Sequence, residues 1–260
     1  MDISSIRLDG KKILITGVSR PLGIGAALAK RFAEAGAFVA IHGFSDYDLT
    51  AGCNNSATPL GTENISIQLA DRGLNIVLIT PSDFAKSDTA KKAVEEAAQK
   101  LNGIDGLVLN HCYGTYLELG EWTEENLDLH FTVNIRASML MIQEFAQQVD
   151  ITKDNTITLF TSGQSNGPMT NEIPYCVAKE AISNLCRQSS ALLGCKNIRV
   201  NCINPGPNDT GYYPGDTSRW CTPNDAADLA LFLHSSYAKC ITGQIIASDK
   251  GQGFGGQFVL

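Results

Sequence analysis

The N-terminal part of the chain places a strand pattern, a glycine-containing turn and a helix pattern in direct succession. Residues 11–16 (KKILIT) predict a buried strand, residues 26–35 (AALAKRFAEA) a helix, and residues 38–42 (FVAIH) a second strand. The turn after the first strand contains Gly17, Gly23 and Gly25. Glycines let the backbone approach a pyrophosphate closely, and a helix N-terminus adds unpaired N–H groups. The stretch therefore predicts a βαβ unit that binds a dinucleotide.

The tip of the second strand bears on which dinucleotide binds. An acidic residue that would hold the ribose of NAD is absent there, because residues 42–45 read His-Gly-Phe-Ser. Arg20, inside the glycine turn, is placed to meet a 2′-phosphate, which favours NADP over NAD. An Arg20 that merely faces solvent is the alternative, and the nearby Asp46 keeps NAD open.

The rest of the chain continues to alternate short apolar runs with helical patterns. Strands are predicted at residues 74–80, 106–109, 156–161, 198–203 and 244–247, and helices at residues 65–72, 88–101, 123–148 and 225–234. About seven strands alternating with helices predict a doubly wound parallel sheet, and 260 residues suit one Rossmann domain over residues 1–260. The polar residues 45–64 predict a surface insertion, and residues 207–222 a short substrate loop. Its aromatic residues Tyr212, Tyr213 and Trp220 form either an apolar wall of the site or the packing of the loop itself.

In such sheets ligands bind beyond the carboxyl ends of the strands. Residues at predicted strand ends are Gly17, Arg20, Asp83, Asn110, Ser162 and Pro205. Asn134 is unusual because helix interiors disfavour asparagine, so its amide either caps a kink or holds a water molecule. His111 could be catalytic, although a lone histidine at a strand end is more often structural or solvated.

Residues 162–179 carry the candidates for proton chemistry. Tyr175 and Lys179 are four residues apart, which places both on one face of a helix. A cation one turn away favours the phenolate, so Lys179 could tune Tyr175 as a general acid or base. Ser162 could donate a hydrogen bond to a substrate oxygen that becomes charged. A Tyr-x-x-x-Lys pair also arises by chance on solvated helices, and the converging strand-end residues raise this pair above coincidence.

Charge and cysteine content limit the classes of partner. The net charge of −7 and the pI of about 5.1, without a basic run, give nucleic acid or an anionic membrane no electrostatic footprint. No signal peptide or membrane span precedes the first strand, so a cytoplasmic location is expected. The eight cysteines lack metal-ligand spacing, so we expect no metal site and mostly small buried thiols.

These motifs resemble those of the classical short-chain dehydrogenase/reductase family over nearly the whole chain, and most closely its 3-oxoacyl-acyl-carrier-protein reductase-like branch. The phrases VNIRAS, TSGQ, INPGPNDTG and ITGQII are similar to that branch. The motifs that carry the resemblance are Thr16-Gly17 with Gly23 and Gly25, Asp83, Asn110, Asn134, Ser162, Tyr175 with Lys179, and Pro205-Gly206 with Thr210.

The resemblance implies a reaction and a site. Hydride would pass from NADPH to a carbonyl carbon while Tyr175 protonates the oxygen that Ser162 holds. Lys179 would bind the nicotinamide ribose and lower the pKa of Tyr175, Asn134 would anchor a water in the proton relay, and Thr210 would fix the carboxamide. Implied cofactor contacts are Gly17, Ser19, Arg20, Gly23, Ile24, Gly25, Ser45, Asp83, Phe84, Asn110, Tyr175, Lys179, Pro205, Gly206 and Thr210.

Assembly is implied by the same resemblance. Family members commonly form homodimers or homotetramers through the helices that hold Asn134 and Tyr175. The apolar phrase SMLMIQEFA, residues 138–146, is compatible with such a face or with the core.

Three departures from the family pattern are visible. The glycine turn is two residues longer than usual, as in enoyl reductases, but those space Tyr and Lys farther apart, which favours a carbonyl reductase here. Residues 110–113 read Asn-His-Cys-Tyr where the family has Asn-Asn-Ala-Gly, so larger side chains press on the cofactor floor. The loop between Thr210 and Pro223 is short, which implies an open site or an unusual substrate. A second hypothesis is therefore a catalytically silent NADP(H)-binding regulator or assembly subunit.

Overall fold

Seven parallel strands form the centre of the computed structural model, which describes residues 3–50, 58–211 and 216–251. The strands are β1 (Lys12–Ile15), β2 (Phe38–Ile41), β3 (Ile76–Leu78), β4 (Gly106–Leu109), β5 (Asn155–Phe160), β6 (Ile198–Asn204) and β7 (Ile245–Ala247). Their order across the sheet is β3-β2-β1-β4-β5-β6-β7. The order reverses between β1 and β4, where a crevice opens at the carboxyl ends of the strands. This arrangement confirms the predicted doubly wound sheet.

Helices cover both faces of the sheet. They are α1 (Ile24–Glu34), α2 (Ser45–Thr50), α3 (Gly61–Asp71), α4 (Thr89–Leu101), α5 (Glu124–Phe131), α6 (Ala137–Gln148), α7 (Ile173–Leu193) and α8 (Pro223–His234). Among the described residues, no helix combines the length and the apolar character that a membrane crossing requires.

Side chains on successive strand positions serve two separate cores. Leu14 packs into the core beneath α4, α6 and α7, whereas Ile13 and Ile15 pack into the core beneath α1 and α8. This alternation follows from the two-residue period of a strand. All four residues of β4 are buried, as expected for a central parallel strand with helices on both faces.

Several predicted elements differ from the structure. The long helix predicted at residues 123–148 is interrupted by a π-helical turn, Thr132–Arg136, between α5 and α6. The helix predicted from residue 65 begins at Gly61. Residues 45–50 of the predicted surface insertion form α2, and Asp48 within it is only 6% exposed. The first six residues of the insertion therefore pack against the rest of the domain.

The expectation of mostly buried thiols is wrong for the described cysteines. Cys186, Cys202 and Cys221 are buried and Cys176 is half-buried, but three others are exposed: Cys112, Cys195 and Cys240. Hydrophobicity alone does not place a cysteine, because its side chain is small enough for loops and helix ends as well as for cores. Cys53 lies outside the described residues.

A buried arginine links β5 and β6 to the residues at and after the C-terminus of α8. Arg199 on β6 is 6% exposed and pairs with Asp154, with 3.0 Å between Nε and Oδ1. Its guanidinium also donates to the carbonyl oxygens of Leu233 at 2.7 Å and Ala238 at 3.1 Å, and to the Thr156 hydroxyl at 2.7 Å. Because its donors are used within the protein, this charge is a structural one.

Candidate active site

A cavity of about 690 Å³ lies at the carboxyl ends of the strands, where the sheet order reverses. It brings together most of the residues that the sequence nominated. Those lining it are Gly17, Ser19, Arg20, Gly23, Ile24, Gly25, Asp83, Phe84, Asn110, Ser162, Tyr175, Lys179, Pro205, Gly206 and Thr210. Ser45 and Asn134 do not line it. The Ser45 hydroxyl instead accepts a hydrogen bond from the Gly61 N–H at 3.1 Å.

The glycine turn after β1 is shaped for a ligand that approaches the backbone. A Cβ at position 25 would overlap the carbonyl oxygen of Gly17, so only glycine fits there. The N-cap of α1 is Gly23, which offers no side-chain hydrogen bond to the first N–H groups of the helix. Uncovered N–H groups and the positive end of the helix dipole suit a pyrophosphate. The residues present therefore fit a dinucleotide.

The turn also holds an ion pair that sequence reasoning missed. Arg20 Nε lies 3.5 Å from Oδ1 of Asp48, and both residues line the cavity. Burial raises the pKa of Asp48, while a hydrogen bond from Ser19 and the charge of Arg20 act to lower it. Arg20 therefore does not simply face solvent. Asp48 lies two residues beyond the acidic residue that the sequence singled out near the tip of β2, Asp46.

Aromatic rings close the far end of the cavity beyond β2 and β3. The rings of Phe84 and His42 stack with centroids 4.2 Å apart, and His111 meets Phe84 edge-on at 4.8 Å. His42 is 1% exposed, and burial lowers its pKa to about 4, so it is neutral at pH 7. The Asp83 carboxylate accepts a hydrogen bond from the Ala85 N–H at 2.8 Å.

The short helix α2 reaches across the cavity to the loop that follows β4. The Tyr47 hydroxyl donates to the carbonyl oxygen of Gly114 at 2.8 Å and lies 3.1 Å from the Gly114 nitrogen, whose N–H it accepts. The rings of Tyr47 and Tyr113 are 5.2 Å apart. The predicted surface insertion thus supplies one wall of the cavity, a role that its polar, turn-rich sequence did not indicate.

The floor of the cavity is the altered segment after β4. The Asn110 amide donates to the Gly17 carbonyl oxygen at 3.0 Å and so joins β4 to the glycine turn. His111 Nδ1 lies 2.8 Å from the Thr16 hydroxyl, and its Nε2 lies 3.5 Å from the Ser138 hydroxyl. Burial lowers the pKa of His111 to about 3. These contacts support the structural reading of this histidine.

Asn134 bonds to the backbone of the same segment after β4. It lies in the π-helical turn and is 2% exposed. Its Oδ1 accepts from the N–H of Tyr113 at 2.7 Å, and its Nδ2 donates to the carbonyl oxygen of the same residue at 2.8 Å. The side chain is thus committed to the backbone of the floor. The π-helical turn occurs at this residue, so the predicted break in the helix is present.

Tyr175, Ser162 and Lys179 meet in the cavity as the sequence predicted. Ser162 follows β5 and hydrogen-bonds the Tyr175 hydroxyl, which acts to lower the pKa of that phenol. Lys179 is 4% exposed, lies 5.6 Å from the centre of the Tyr175 ring and donates to the Phe160 carbonyl oxygen at 3.0 Å.

The net effect of the surroundings on the Tyr175 pKa is opposite in direction to the expected lowering. Burial raises that pKa, and the nearby Cys112, Glu172 and Cys176 add to the rise, outweighing the Ser162 hydrogen bond. Tyr175 is therefore a protonated phenol at neutral pH.

Two further residues beside Tyr175 were not nominated by the sequence. The Tyr175 ring packs against Gly114, where a Cβ would lie 2.8 Å from ring atom Cδ2. Glu172, three residues before Tyr175, also lines the cavity. Its position one helical turn before the tyrosine is a signal that could have found it.

The turn after β6 closes the remaining side. The Asn208 amide donates to the carbonyl oxygens of Pro205 at 2.6 Å and Gly206 at 3.2 Å, which fixes the turn that precedes Thr210. Trp220 lines the cavity, which favours the wall interpretation for this residue. Tyr212 and Tyr213 lie outside the described residues. Over the described ranges, no group of histidine, cysteine and acidic side chains is arranged to hold a metal ion.

Comparison with known proteins agrees with this geometry. An uncharacterized oxidoreductase of Bacillus subtilis is 29% identical over 256 residues, spanning 93% of this chain and 96% of that protein. The 3-oxoacyl-[acyl-carrier-protein] reductase of Chlamydia muridarum is 29% identical over 259 residues, spanning 94% and 98%.

Solved structures share the fold. A short chain dehydrogenase from Burkholderia cenocepacia in complex with NADP is 26% identical, with a TM-score of 0.80 over 93% of this chain and 97% of that one. One from Mycobacterium paratuberculosis bound to NAD is 23% identical, with a TM-score of 0.84 over 95% and 99%, and indicates the fold alone.

A family model matches most of the chain. The model described as enoyl-(acyl carrier protein) reductase covers residues 17–252, from the glycine turn to beyond β7. The chain therefore belongs to the short-chain dehydrogenase/reductase family of nicotinamide-dependent oxidoreductases, near its 3-oxoacyl-acyl-carrier-protein reductase-like branch.

Proposed function

We propose that this chain, acting as one domain over residues 1–260, is an NADP-dependent reductase that interconverts a carbonyl and a secondary alcohol. The observation that carries the proposal is the hydrogen-bonded Ser162 and Tyr175 beside the buried Lys179, in the same cavity as the glycine turn. A proton donor and a dinucleotide cradle in one cavity are what carbonyl reduction needs. A 3-oxoacyl-type compound is one candidate substrate, by similarity to the chlamydial relative.

The nicotinamide ring supplies or accepts the hydride when the cofactor is bound. The glycine turn would hold its pyrophosphate, and Asp83 with Phe84 would border its adenine. Asn110, the Pro205-Gly206 turn and Thr210 would border its nicotinamide half. Lys179 would hold the adjoining ribose.

The proton chemistry assigns distinct roles to three side chains. Tyr175 is protonated at neutral pH because burial raises its pKa, so it suits the general acid that protonates a carbonyl oxygen. Ser162 would donate to the same oxygen as negative charge develops there. Asn134 is a positioning residue, since it holds the backbone of Tyr113 in the cavity floor.

Turnover with NADPH tests the proposal. Absorbance of the reduced nicotinamide would be followed with a panel of ketones, aldehydes and 3-oxoacyl thioesters. We expect Tyr175→Phe to reduce kcat by at least about 10²-fold, the usual contribution of a general acid. Tyr237→Phe is the matched control, because Tyr237 is 57% exposed and outside the cavity. Full turnover by Tyr175→Phe would refute the assigned role.

The preference for NADP rests on Arg20, which lines the cavity near the tip of β2, where residues 42–45 include no carboxylate and Asp46 follows. Asp48 competes for the Arg20 guanidinium, so a 2′-phosphate must share it. We expect Arg20→Ala to weaken NADPH binding about tenfold, or about 1.4 kcal/mol, and to leave NADH nearly unchanged. Titration of cofactor fluorescence measures both, and equal losses for the two cofactors would remove the basis for this preference.

A catalytically silent NADP(H)-binding regulator or assembly subunit is the second candidate. The substituted floor favours it, because His111 and Cys112 stand where the family has smaller or amide side chains. Tight NADPH binding without oxidation across the whole panel would select this candidate.

We further propose a homodimer or homotetramer. On α6, Met139 is 53% exposed and Leu140 38% exposed, and on α7 Val177 is 52% exposed, whereas Met141 and Phe145 belong to the core. The apolar phrase at residues 138–146 therefore has a core side and an exposed side. Sedimentation velocity decides the state, and a monomer at micromolar concentration would exclude this assembly.

A further inference from the structure

We propose that Glu172 makes this site selective for carbonyl substrates that carry a hydroxyl group next to the reacting carbon, such as hydroxyketones. The inference rests on the proposed function and narrows its substrate class. It follows from where the carboxylate lies, from its lack of a partner, and from the charge that it places beside Tyr175.

Backbone hydrogen bonds hold Glu172 at the N-terminus of α7. It is the N-cap residue of the helix, its N–H donates to the Met169 carbonyl oxygen at 3.1 Å, and its own carbonyl oxygen accepts from the Cys176 N–H at 2.9 Å. The side chain is half-buried and lines the cavity. It lies one helical turn before Tyr175, so it faces the region where a substrate carbonyl must sit.

The carboxylate of Glu172 receives no hydrogen bond or ion pair from the described residues. Other acidic side chains of the cavity differ, because Asp48 has Arg20 and Ser19 and Asp83 has the Ala85 N–H. Burial raises the pKa of Glu172 without an opposing partner. A partly desolvated carboxylate is unfavourable unless a donor reaches it. A hydroxyl group of a bound substrate supplies that donor.

The same charge discriminates against anions. Glu172 lies near enough to raise the pKa of both Tyr175 and Cys176. The positive side chains of the cavity are Lys179, which donates to the Phe160 carbonyl oxygen, and Arg20, which pairs with Asp48 in the glycine turn. A carboxylate or phosphate next to the substrate carbonyl would therefore face Glu172, while both positive side chains found in the described part of the cavity are already engaged.

A series of small ketones of similar size tests the selectivity. Hydroxyacetone, 2-butanone, pyruvate and aminoacetone place a hydroxyl, a methyl, a carboxylate and an ammonium at comparable positions. We expect the wild-type protein with NADPH to show kcat/KM at least tenfold higher for hydroxyacetone than for pyruvate. E172Q removes the charge and keeps the shape, and we expect it to shrink that ratio about tenfold.

A control separates the local charge from the net charge. Glu95 is an exposed carboxylate on α4, outside the cavity, so E95Q changes the net charge by the same amount. We expect E95Q to leave all four kcat/KM values within twofold of wild type. Equal ratios in wild type and E172Q would overturn the proposal, and a preference for aminoacetone over hydroxyacetone would overturn its commitment to a hydroxyl group.

A binding measurement keeps the inference testable if no ketone is reduced. Thermal unfolding of the protein with saturating NADP⁺ would be compared in 1,2-propanediol and in lactate, which carry a hydroxymethyl group and a carboxylate, respectively, on the same carbon. We expect the diol to raise the Tm more than lactate in wild type and E172Q to lose that difference. If the Tm difference is present but no ketone is reduced, the proposed function is refuted and the role of Glu172 stands. If the diol and lactate raise the Tm equally, the role of Glu172 is refuted.

Discussion

Replacing Gly114 by alanine tests whether the ring of Tyr175 must rest on this glycine. The backbone of Gly114 is not in the left-handed region, so alanine introduces no backbone strain there. The new Cβ would lie 2.8 Å from Tyr175 Cδ2, and ordinary contact begins near 3.4 Å. The ring must therefore move by about 0.6 Å, the difference between these two distances, or the loop after β4 must move against the hydrogen bonds of Tyr47.

A displacement of this size is large for a proton donor. Catalytic groups are held within about 0.5 Å of their working geometry, and a shift of about 1 Å lowers rates about 10²-fold. We therefore expect Gly114→Ala to lower kcat/KM about tenfold, which corresponds to about 1.4 kcal/mol of transition-state stabilisation. Binding of NADPH should change less, because the glycine turn after β1 is untouched.

The assay is NADPH oxidation with the best ketone of the panel, combined with thermal unfolding to establish that the variant is folded. Gly194→Ala is the matched control, since Gly194 has φ −56° and no atom within 4 Å of an added Cβ. We expect that control to keep wild-type activity. A folded Gly114→Ala protein with kcat/KM within twofold of wild type would show that the Tyr175 ring does not depend on this contact.

Three further predictions concern stability and pH. Asn134→Ala removes two hydrogen bonds between a side chain that is 2% exposed and the backbone of Tyr113, so we expect the free energy of unfolding in urea to fall by about 1–3 kcal/mol; a loss below about 0.5 kcal/mol would contradict this role. His42 is neutral when folded, with a pKa of about 4, and titrates near 6.5 when unfolded, so stability is full above pH 6.5 and falls as the pH drops towards 4. Between pH 7.5 and 5.5 we expect a loss of about 1.4 kcal/mol from this residue, which His42→Gln should remove from the pH dependence of urea unfolding. Arg199→Lys should destabilise by about 3 kcal/mol because the buried carbonyl acceptors lose a fixed set of donors, whereas Arg72→Lys at an exposed pair should change stability by less than about 0.5 kcal/mol.

The sheet was predictable because its strands are buried on both faces. A central parallel strand such as β4 reads as a continuous apolar run, and its predicted bounds at residues 106–109 match the structure. The edge strand β3 is shorter than predicted, Ile76–Leu78 instead of residues 74–80. An edge strand has a neighbour on one side only, so an apolar run there does not fix where pairing ends.

The site was predictable where its residues follow strands, and less so where contacts span long stretches of sequence. Tyr47 bonds to Gly114, and Asp48 pairs with Arg20 across the glycine turn. Neither contact has a periodic signal, because each depends on how α2 packs over the cavity. Glu172 was missed for another reason, since a glutamate at the start of a helix is usual there for its effect on the helix dipole.

The π-helical turn at Asn134 also constrains how this protein can vary in length. Such a turn holds one residue more than the α-helical path between α5 and α6, and each residue of an α-helix rotates the chain by about 100°. Deleting a single residue from Thr132–Arg136 would let the two helices join into one continuous rod. Because the wide turn already absorbs that rotation, α5 and α6 would keep their register and Met141 its place in the core, but Asn134 would lose the turn from which it bonds to the backbone of Tyr113. A one-residue deletion here should therefore disturb the floor of the site while leaving the core beneath α6 intact.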